Sequence, residues 1–425
     1  MNPVVAQYKT MLNQSIIESD VVKIFDSLLT VAVEEASDIH IEPLESYCRI
    51  RIRIDILTEL VQYPKNLHES IISKFKIESQ MRPDEKRIPQ DARVSNMTQT
   101  NKEIDLRANT LPTVMEKLVM RIVDKSKKIP PLEELGIETN KDIIYKNLTF
   151  PNGIILTTPT GSGKTTTLYA GLEYINTTDV NIITYEDPVE IKMMGLSQAQ
   201  IRADIGFTFA SGLRGAMRQD PDIIMVEIRD FETLETAMEA AMTHLVFSTI
   251  HTNSAAETLT RVFNLAKPYM IAGTFNLVMA QRLVRTTCPD CKIETEVLND
   301  PRYIYAKKTF VSFEKESLKK EIISRISQVQ RDKFIKEGKV TIGSKDPKTG
   351  QVCATCAGSY RRTALYEFMD YTDELKELIL AGKTAYEIEK YALNNGMINL
   401  ERDGAFKVIK GYTTLEQIYR FVKQK

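Results

Sequence analysis

Between about Leu132 and Arg285, short apolar runs alternate with stretches of helical periodicity. That alternation predicts a parallel sheet covered by helices, an α/β fold. Four runs are candidate strands: Ile154–Leu156, Asn181–Tyr185, Ile223–Val226 and Leu245–Thr249. The first leads into TPTGSGKTTT, Thr158–Thr167, and then a helix-forming stretch, Leu168–Ile175. Upstream, Val21–Glu35 has helical periodicity, and Arg49–Asp55 alternates strictly, which predicts a strand with one charged face. A second alternating stretch lies near Glu103–Ala108, so the chain from about Ser19 to Asp124 reads as a separate mixed α/β unit. Tyr303–Lys339 is rich in Lys and Glu with little apolar periodicity, and reads as a solvated helical insertion. The tail from Arg361 reads as small helices punctuated by Gly396, Gly404 and Gly411. The domains expected are therefore 1–124, a linker at 125–131 that is charged and then Pro-rich, a sheet-and-helix core at 132–287, a cysteine-bearing module at 288–360, and a helical segment at 361–425.

A chain of 425 residues suits two or three domains, and 43% hydrophobic with 27% charged residues is ordinary for a globular protein. The net charge of −1 gives no overall bias toward nucleic acid or acidic membrane, so no nucleic-acid partner is expected. No apolar run reaches the ~18 residues of a membrane span, and no apolar leader follows Met1. The expectation is a cytoplasmic protein that meets a membrane only through partners. Four of the five cysteines form two C-x-x-C pairs, Cys288/Cys291 and Cys353/Cys356. In a reducing compartment that pattern predicts a four-thiolate zinc site that staples a loop-rich module. Cys48 reads as a buried bystander.

A strand, a Gly-rich turn and a helix make a phosphate cradle, because backbone N–H groups and the helix N-terminus both favour anions. Thr160, Gly161, Ser162, Gly163, Lys164, Thr165 and Thr166 are the expected nucleotide contacts. Lys164 would reach the β- and γ-phosphates of ATP, and the Thr165 hydroxyl would hold Mg²⁺. Ligands in open α/β sheets bind at the carboxyl ends of the strands. There the other runs lead into Glu186 and Glu190, into Glu227, and into His251. Hydrolysis needs one carboxylate to orient water and another near the metal, so Glu190 and Glu227 are the candidates, with Glu186 in support. His251 would sense the γ-phosphate or bridge to a carboxylate, whereas His244 lies at the opposite end of its strand. Arg214 and Arg218, four apart on an expected helix, would share one face and pair with acidic groups, in this subunit or across a boundary.

The chain resembles the bacterial secretion ATPases that power type IV pilus assembly and type II secretion. The resemblance rests on ASDIHIEP (Ala36–Pro43), RIRID (Arg51–Asp55), RIPQDAR (Arg87–Arg93), IDLRANTLPT (Ile104–Thr113) and EKLVMRI (Glu116–Ile122) in the amino-terminal part. It continues through ITYEDPVE (Ile183–Glu190), FASGLRGAMRQDPDIIMVEIRD (Phe209–Asp230), HLVFSTIHTNSA (His244–Ala255), AQRLVRTTCPDC (Ala280–Cys291) and GMINLERDG (Gly396–Gly404). It implies a RecA-like P-loop core behind a smaller PAS-like domain, and a homo-hexamer with Arg107 and Arg121 near the phosphates. Glu190 would be the catalytic glutamate. The motor would turn an inner-membrane platform protein and add pilin subunits. The four cysteines favour assembly or secretion over retraction, and an additional amino-terminal docking domain is expected to be absent or reduced.

The departures from the family pattern fall at glycines. Thr158 stands where the phosphate loop has its first Gly, one Gly is missing before Glu227, and Ile56 and Ala92 replace two more. In a strand a one-residue shift exchanges faces. Glu227 therefore either keeps its place, with the strand shortened at its start, or points away from the metal. Type II secretion remains an alternative cargo, and a nucleotide-binding scaffold without turnover a rival of another class.

Overall fold

The computed structural model describes residues 3–35, 38–53, 57–99, 102–124, 128–158, 162–315, 323–342 and 362–422. The chain divides into two compact units, Met1–Lys128 and Ile129–Lys425.

The first unit contains α1 (Pro3–Ile17), α2 (Val21–Glu35), β1 (Asp38–Pro43), β2 (Cys48–Arg53), β3 (Leu57–Tyr63), α3 (His68–Glu78), β4 (Gln90–Gln99), β5 (Lys102–Pro112) and β6 (Glu116–Asp124). Its strands form one antiparallel sheet in the order β3-β2-β1-β6-β5-β4. Side chains alternate across a pleated strand. Ile39, Ile41, Ile50, Ile52, Leu106 and Met120 accordingly pack with Leu12, Phe25, Leu28 and Phe75 of the helices. Arg49, Arg51, Arg53, Lys117 and Arg121 share the opposite face with Glu42 and Asp38. Burial would raise the Glu42 carboxyl, but Arg51, Lys117 and Arg49 hold it down at about 2. The charged face read from Arg49–Asp55 is thus an ion-pair lattice, although Ile54, Asp55 and Ile56 lie outside the described residues.

The second unit begins with α4 (Lys141–Leu148), β7 (Gly153–Thr158), α5 (Lys164–Ile175), β8 (Ile182–Glu186), β9 (Ser197–Gln200), α6 (Phe209–Ala216), β10 (Ile223–Glu227), α7 (Phe231–Ala240), β11 (Leu245–Thr249), α8 (Ala255–Phe263), α9 (Pro268–Thr274) and β12 (Phe275–Arg285). It continues with β13 (Ile293–Glu296), α10 (Pro301–Lys315), α11 (Gln328–Ile335), β14 (Lys339–Ile342), β15 (Arg362–Asp370), α12 (Asp373–Leu380), α13 (Ala385–Asn394), α14 (Leu400–Ile409) and α15 (Leu415–Val422). The main sheet runs β15-β12-β7-β11-β10-β8-β9, parallel throughout except for β15 at one edge. The strands β7, β8 and β11 are buried along their whole length, as expected where helices cover both faces. On one face Ile154, Ile224, Val226 and Val246 pack against α6 to α9. On the other, Ile155, Ile223, Met225 and Phe247 pack against α4 and α5. Side-chain caps start the helices that leave the strand ends: Asp230 accepts from Thr233 N at α7, and Ser254 from Glu257 N at α8.

Two expectations are corrected here. The described parts of Tyr303–Lys339 are not a solvated insertion. Tyr303, Ala306, Phe310 and Phe334 form a core with Phe406, Ile409, Leu415 and Ile418. The tail is not wholly helical either, since Arg362–Asp370 is the antiparallel edge strand β15, paired along all of its length with β12. Behind it sits a buried charge network. Asp403 accepts from Thr139 Oγ1 (2.6 Å), Tyr366 N (2.9 Å) and Lys407 Nζ (2.9 Å), and Lys407 also donates to the Ala364 carbonyl.

Candidate active site at the ends of the parallel strands

The register of the sheet brings the candidate residues to one level. Thr157, Thr249 and Glu227 are neighbours across β7, β11 and β10. Glu227 follows Ile223 and Met225 on the face that carries α5, so it lies on the same side of the sheet as Lys164, the first residue of that helix. The register is kept because β10 begins at Ile223, level with Leu245 and Ile182.

Gly163 caps α5 at φ +85°, a left-handed conformation that favours glycine. A Cβ there would stand 3.2 Å from both Gln281 Nε2 and Leu283 Cδ2 of β12. Gln281 Nε2 also donates to the Ser162 carbonyl at 2.7 Å, so the neighbouring strand pins the turn. Thr160 and Gly161 lie outside the described residues. Thr165 and Thr166 follow Lys164 in the first turn, where backbone N–H groups lack intrahelical acceptors.

Burial pushes the Lys164 ammonium down, and the carboxylates of Glu227 and Glu190 oppose that shift. Burial would raise Glu227, but Arg229, Lys164 and His251 hold it below the ordinary glutamate value and therefore ionised. Its Oε1 is 3.1 Å from His251 Nε2, and its Oε2 accepts from Arg229 Nη2 at 2.8 Å. Arg229 also donates to Asp187 just beyond β8 (2.9 Å), and its guanidinium lies over the Phe209 ring at 4.8 Å. The Arg229–Asp187 link was not anticipated from the sequence. Its signal was present: a cation two residues past one strand end, and a carboxylate one residue past the next.

Glu186 stands apart from this cluster. It is buried beneath α5, where it accepts from Tyr169 Oη, Thr184 Oγ1 (2.6 Å) and Gln198 Nε2 (3.2 Å). Burial raises its carboxyl despite those donors. Its partners tie α5 to β8 and β9. Gln198 extends the tie to the loop that carries Glu190, donating to Ile191 O (3.0 Å) and accepting from Met193 N (2.7 Å). His244 lies at the far end of β11, where its carbonyl accepts from Gly153 N. Arg214 pairs with Glu232 of the same chain at 3.0 Å, and Arg218 falls beyond the end of α6, so the two do not share a helical face.

In the other unit, Arg107 and Arg121 are register partners on β5 and β6, and Arg121 donates to Asp38 at 2.9 Å. Cys288 and Cys291 are buried on the turn after β12, and Lys292 N donates to Cys288 O at 3.0 Å. Cys353 and Cys356 lie outside the described residues. Among the described residues, no group of three or more His, Cys, Asp or Glu side chains is arranged to hold a metal, and no helix is long and apolar enough to cross a membrane.

A family model described as "Type II/IV secretion system protein" matches residues 12–420. The chain belongs to this family. Among curated relatives, the type IV pilus assembly ATPase PilB of Myxococcus xanthus is 39% identical over 411 residues, covering 94% of this chain and 68% of that protein. Type II secretion system protein E of Aeromonas hydrophila is 36% identical, covering 96% of this chain and 76% of the relative. Among solved structures, the Legionella pneumophila ATPase DotB shares the fold with a TM-score of 0.61 at 19% identity, covering 94% of this chain and 95% of that one. The pilus retraction motor PilT with bound ADP has a TM-score of 0.55 at 22% identity, covering 93% and 96%. The secretion-family chain is an ATPase, as the relatives' names and the match over nearly its whole length support.

Proposed function

We propose that this ATPase is a hexameric motor that hydrolyses ATP to drive pilin polymerisation in type IV pilus assembly. It would work at the cytoplasmic face of the inner membrane, on a platform protein. The observation that carries the reading is the meeting of Lys164, Glu227, Glu190 and His251 at one end of the sheet. The relation to pilus assembly ATPases along the chain supports pilin as the cargo. Type II secretion is the second reading, favoured by relatives of that name at similar identity. A strain lacking the protein, scored for surface pili and for secreted enzymes, separates the two.

In this reading the amides of Ser162–Thr166 and the Lys164 ammonium would hold the phosphates, and the Thr165 hydroxyl and Glu227 are the residues that would hold Mg²⁺. The ionised state of Glu227 and its place on the Lys164 face fit that role. Bound Mg²⁺ supplies charge neutralisation on the phosphate oxygens. Glu190 orients and deprotonates the attacking water, and His251 holds Glu227 in place through its Nε2. The same geometry speaks against a scaffold without turnover, whose main argument was a misdirected Glu227. Glu190→Gln keeps the shape and removes the base. Phosphate release should fall by about 100-fold with ATP binding retained, as for loss of a general base. Turnover within threefold of the parent protein removes Glu190 from the role.

The two C-x-x-C pairs are proposed to hold one Zn²⁺. Support comes from the burial of Cys288 and Cys291 on a tight turn. Metal analysis of the purified chain should find about one zinc per chain, lost in Cys288→Ser. A folded, metal-free protein rules the site out.

A further inference from the structure

We infer that Thr158, which stands where the phosphate-loop pattern has glycine, is a positioning residue that holds the His251 loop against the nucleotide site. The inference rests on the proposed ATP hydrolysis at that site. Thr158 ends β7, and its side chain is fully buried. Its hydroxyl donates to the Thr252 carbonyl and accepts from Thr252 N at 3.2 Å, with the Thr252 hydroxyl 2.9 Å away. One hydroxyl therefore serves both backbone groups of the residue next to His251. Among the described residues, the last backbone bond between this loop and β7 is Ile250 N to Thr157 O, 3.1 Å, so the Thr158 side chain carries the pairing one step further. The Thr252 hydroxyl passes the contact on to Thr258 Oγ1 at 2.5 Å, in the first turn of α8. From the far side, Arg261 donates to the His251 carbonyl at 3.1 Å.

Glycine at 158 supplies none of these bonds. It would leave the N–H and carbonyl of Thr252, itself 6% exposed, without that partner. The loop would then lose the constraint that keeps His251 Nε2 within reach of Glu227. The residue that departs from the pattern is thus the one this loop depends on, and restoring the glycine should harm the enzyme.

The test uses the full chain carrying Thr158→Val, Thr158→Gly or Thr158→Ser, each alone and combined with His251→Ala. Thr158→Val and Thr158→Gly should lower kcat about tenfold with KM for ATP within about twofold, and Thr158→Ser should restore it. In the His251→Ala background Thr158→Val should cost less than about twofold more, because the two act through one contact. Amide exchange of segment 250–254 should quicken in the Val and Gly variants and not in Ser, a readout that needs no turnover. Parent-like exchange in Thr158→Val, parent-like kcat in Thr158→Gly, a loss confined to KM, or fully multiplicative losses with His251→Ala each overturn the inference. If Thr158→Val does not fold, the contrast between Gly and Ser decides. A parent protein that does not hydrolyse ATP sinks the functional reading instead, and the exchange result still judges the contact.

Discussion

Lys164→Ala silences ATP hydrolysis, with a loss of about 1,000-fold in turnover, the upper range for removing one preorganised group that stabilises transition-state charge. The expectation follows from what surrounds the side chain. Lys164 begins α5, faces the carboxylates of Glu227 and Glu190, and is partly buried. Alanine leaves two carboxylates confronting the phosphates with one cation fewer, so both nucleotide affinity and the developing charge suffer. One of the cations that keep Glu227 below its ordinary value also disappears, which makes that carboxylate easier to protonate. Steady-state phosphate release together with nucleotide binding checks both consequences. Turnover above one tenth of the parent value removes Lys164 from the central role.

Asp403→Ala should destabilise the second unit by about 3–5 kcal/mol, the usual cost of stripping one partner from a buried ion pair. Asp403 and Lys407 are both buried, and the carboxylate also serves Thr139 and the backbone of Tyr366. Removing it strands the Lys407 ammonium over the Tyr366 ring and unties α14 from β15. The exposed pair Arg420–Glu416 has the same i,i+4 spacing, and Glu416→Ala should cost no more than about 1 kcal/mol. Denaturant melts of the three proteins give the comparison, read on the transition of the second unit because two units need not unfold together. Equal midpoints for Asp403→Ala and Glu416→Ala would refute the argument.

The strands that carry the site were legible because they are apolar runs too short for helices, each leading into the phosphate loop, a glutamate or a histidine. Their common direction and level follow from the helices between them. The face of Glu227 was open on sequence, because a single missing residue reverses every side chain in a strand. It is resolved by Ile223 and Met225, which pack toward α5 with it. Glu186 was expected to support Glu190 and Glu227, since neighbouring carboxylates in a sequence do not declare which one is buried; Tyr169 and Gln198 hold Glu186 in the interior. The core under α10 was hidden by composition. Tyr303, Ala306 and Phe310 do recur at helical spacing, but Lys and Glu around them diluted the pattern. The strand β15 escaped because its pairing partner, β12, lies on the other side of the cysteine segment, where local periodicity carries no information.

That same pairing has a cost during synthesis. The strand β12 is 11 residues long and presents Leu277, Val278, Met279, Leu283 and Val284 along its length. Among the described residues its outer edge is closed by β15, which leaves the ribosome only after the cysteine segment and α10 and α11 have been made. For that interval the growing chain carries a long, apolar, open edge, the kind of template on which strands of other molecules add. Expression of fragments that stop before Arg362 should therefore be judged by solubility as much as by activity, because they keep the phosphate loop and lose the strand that shields the sheet.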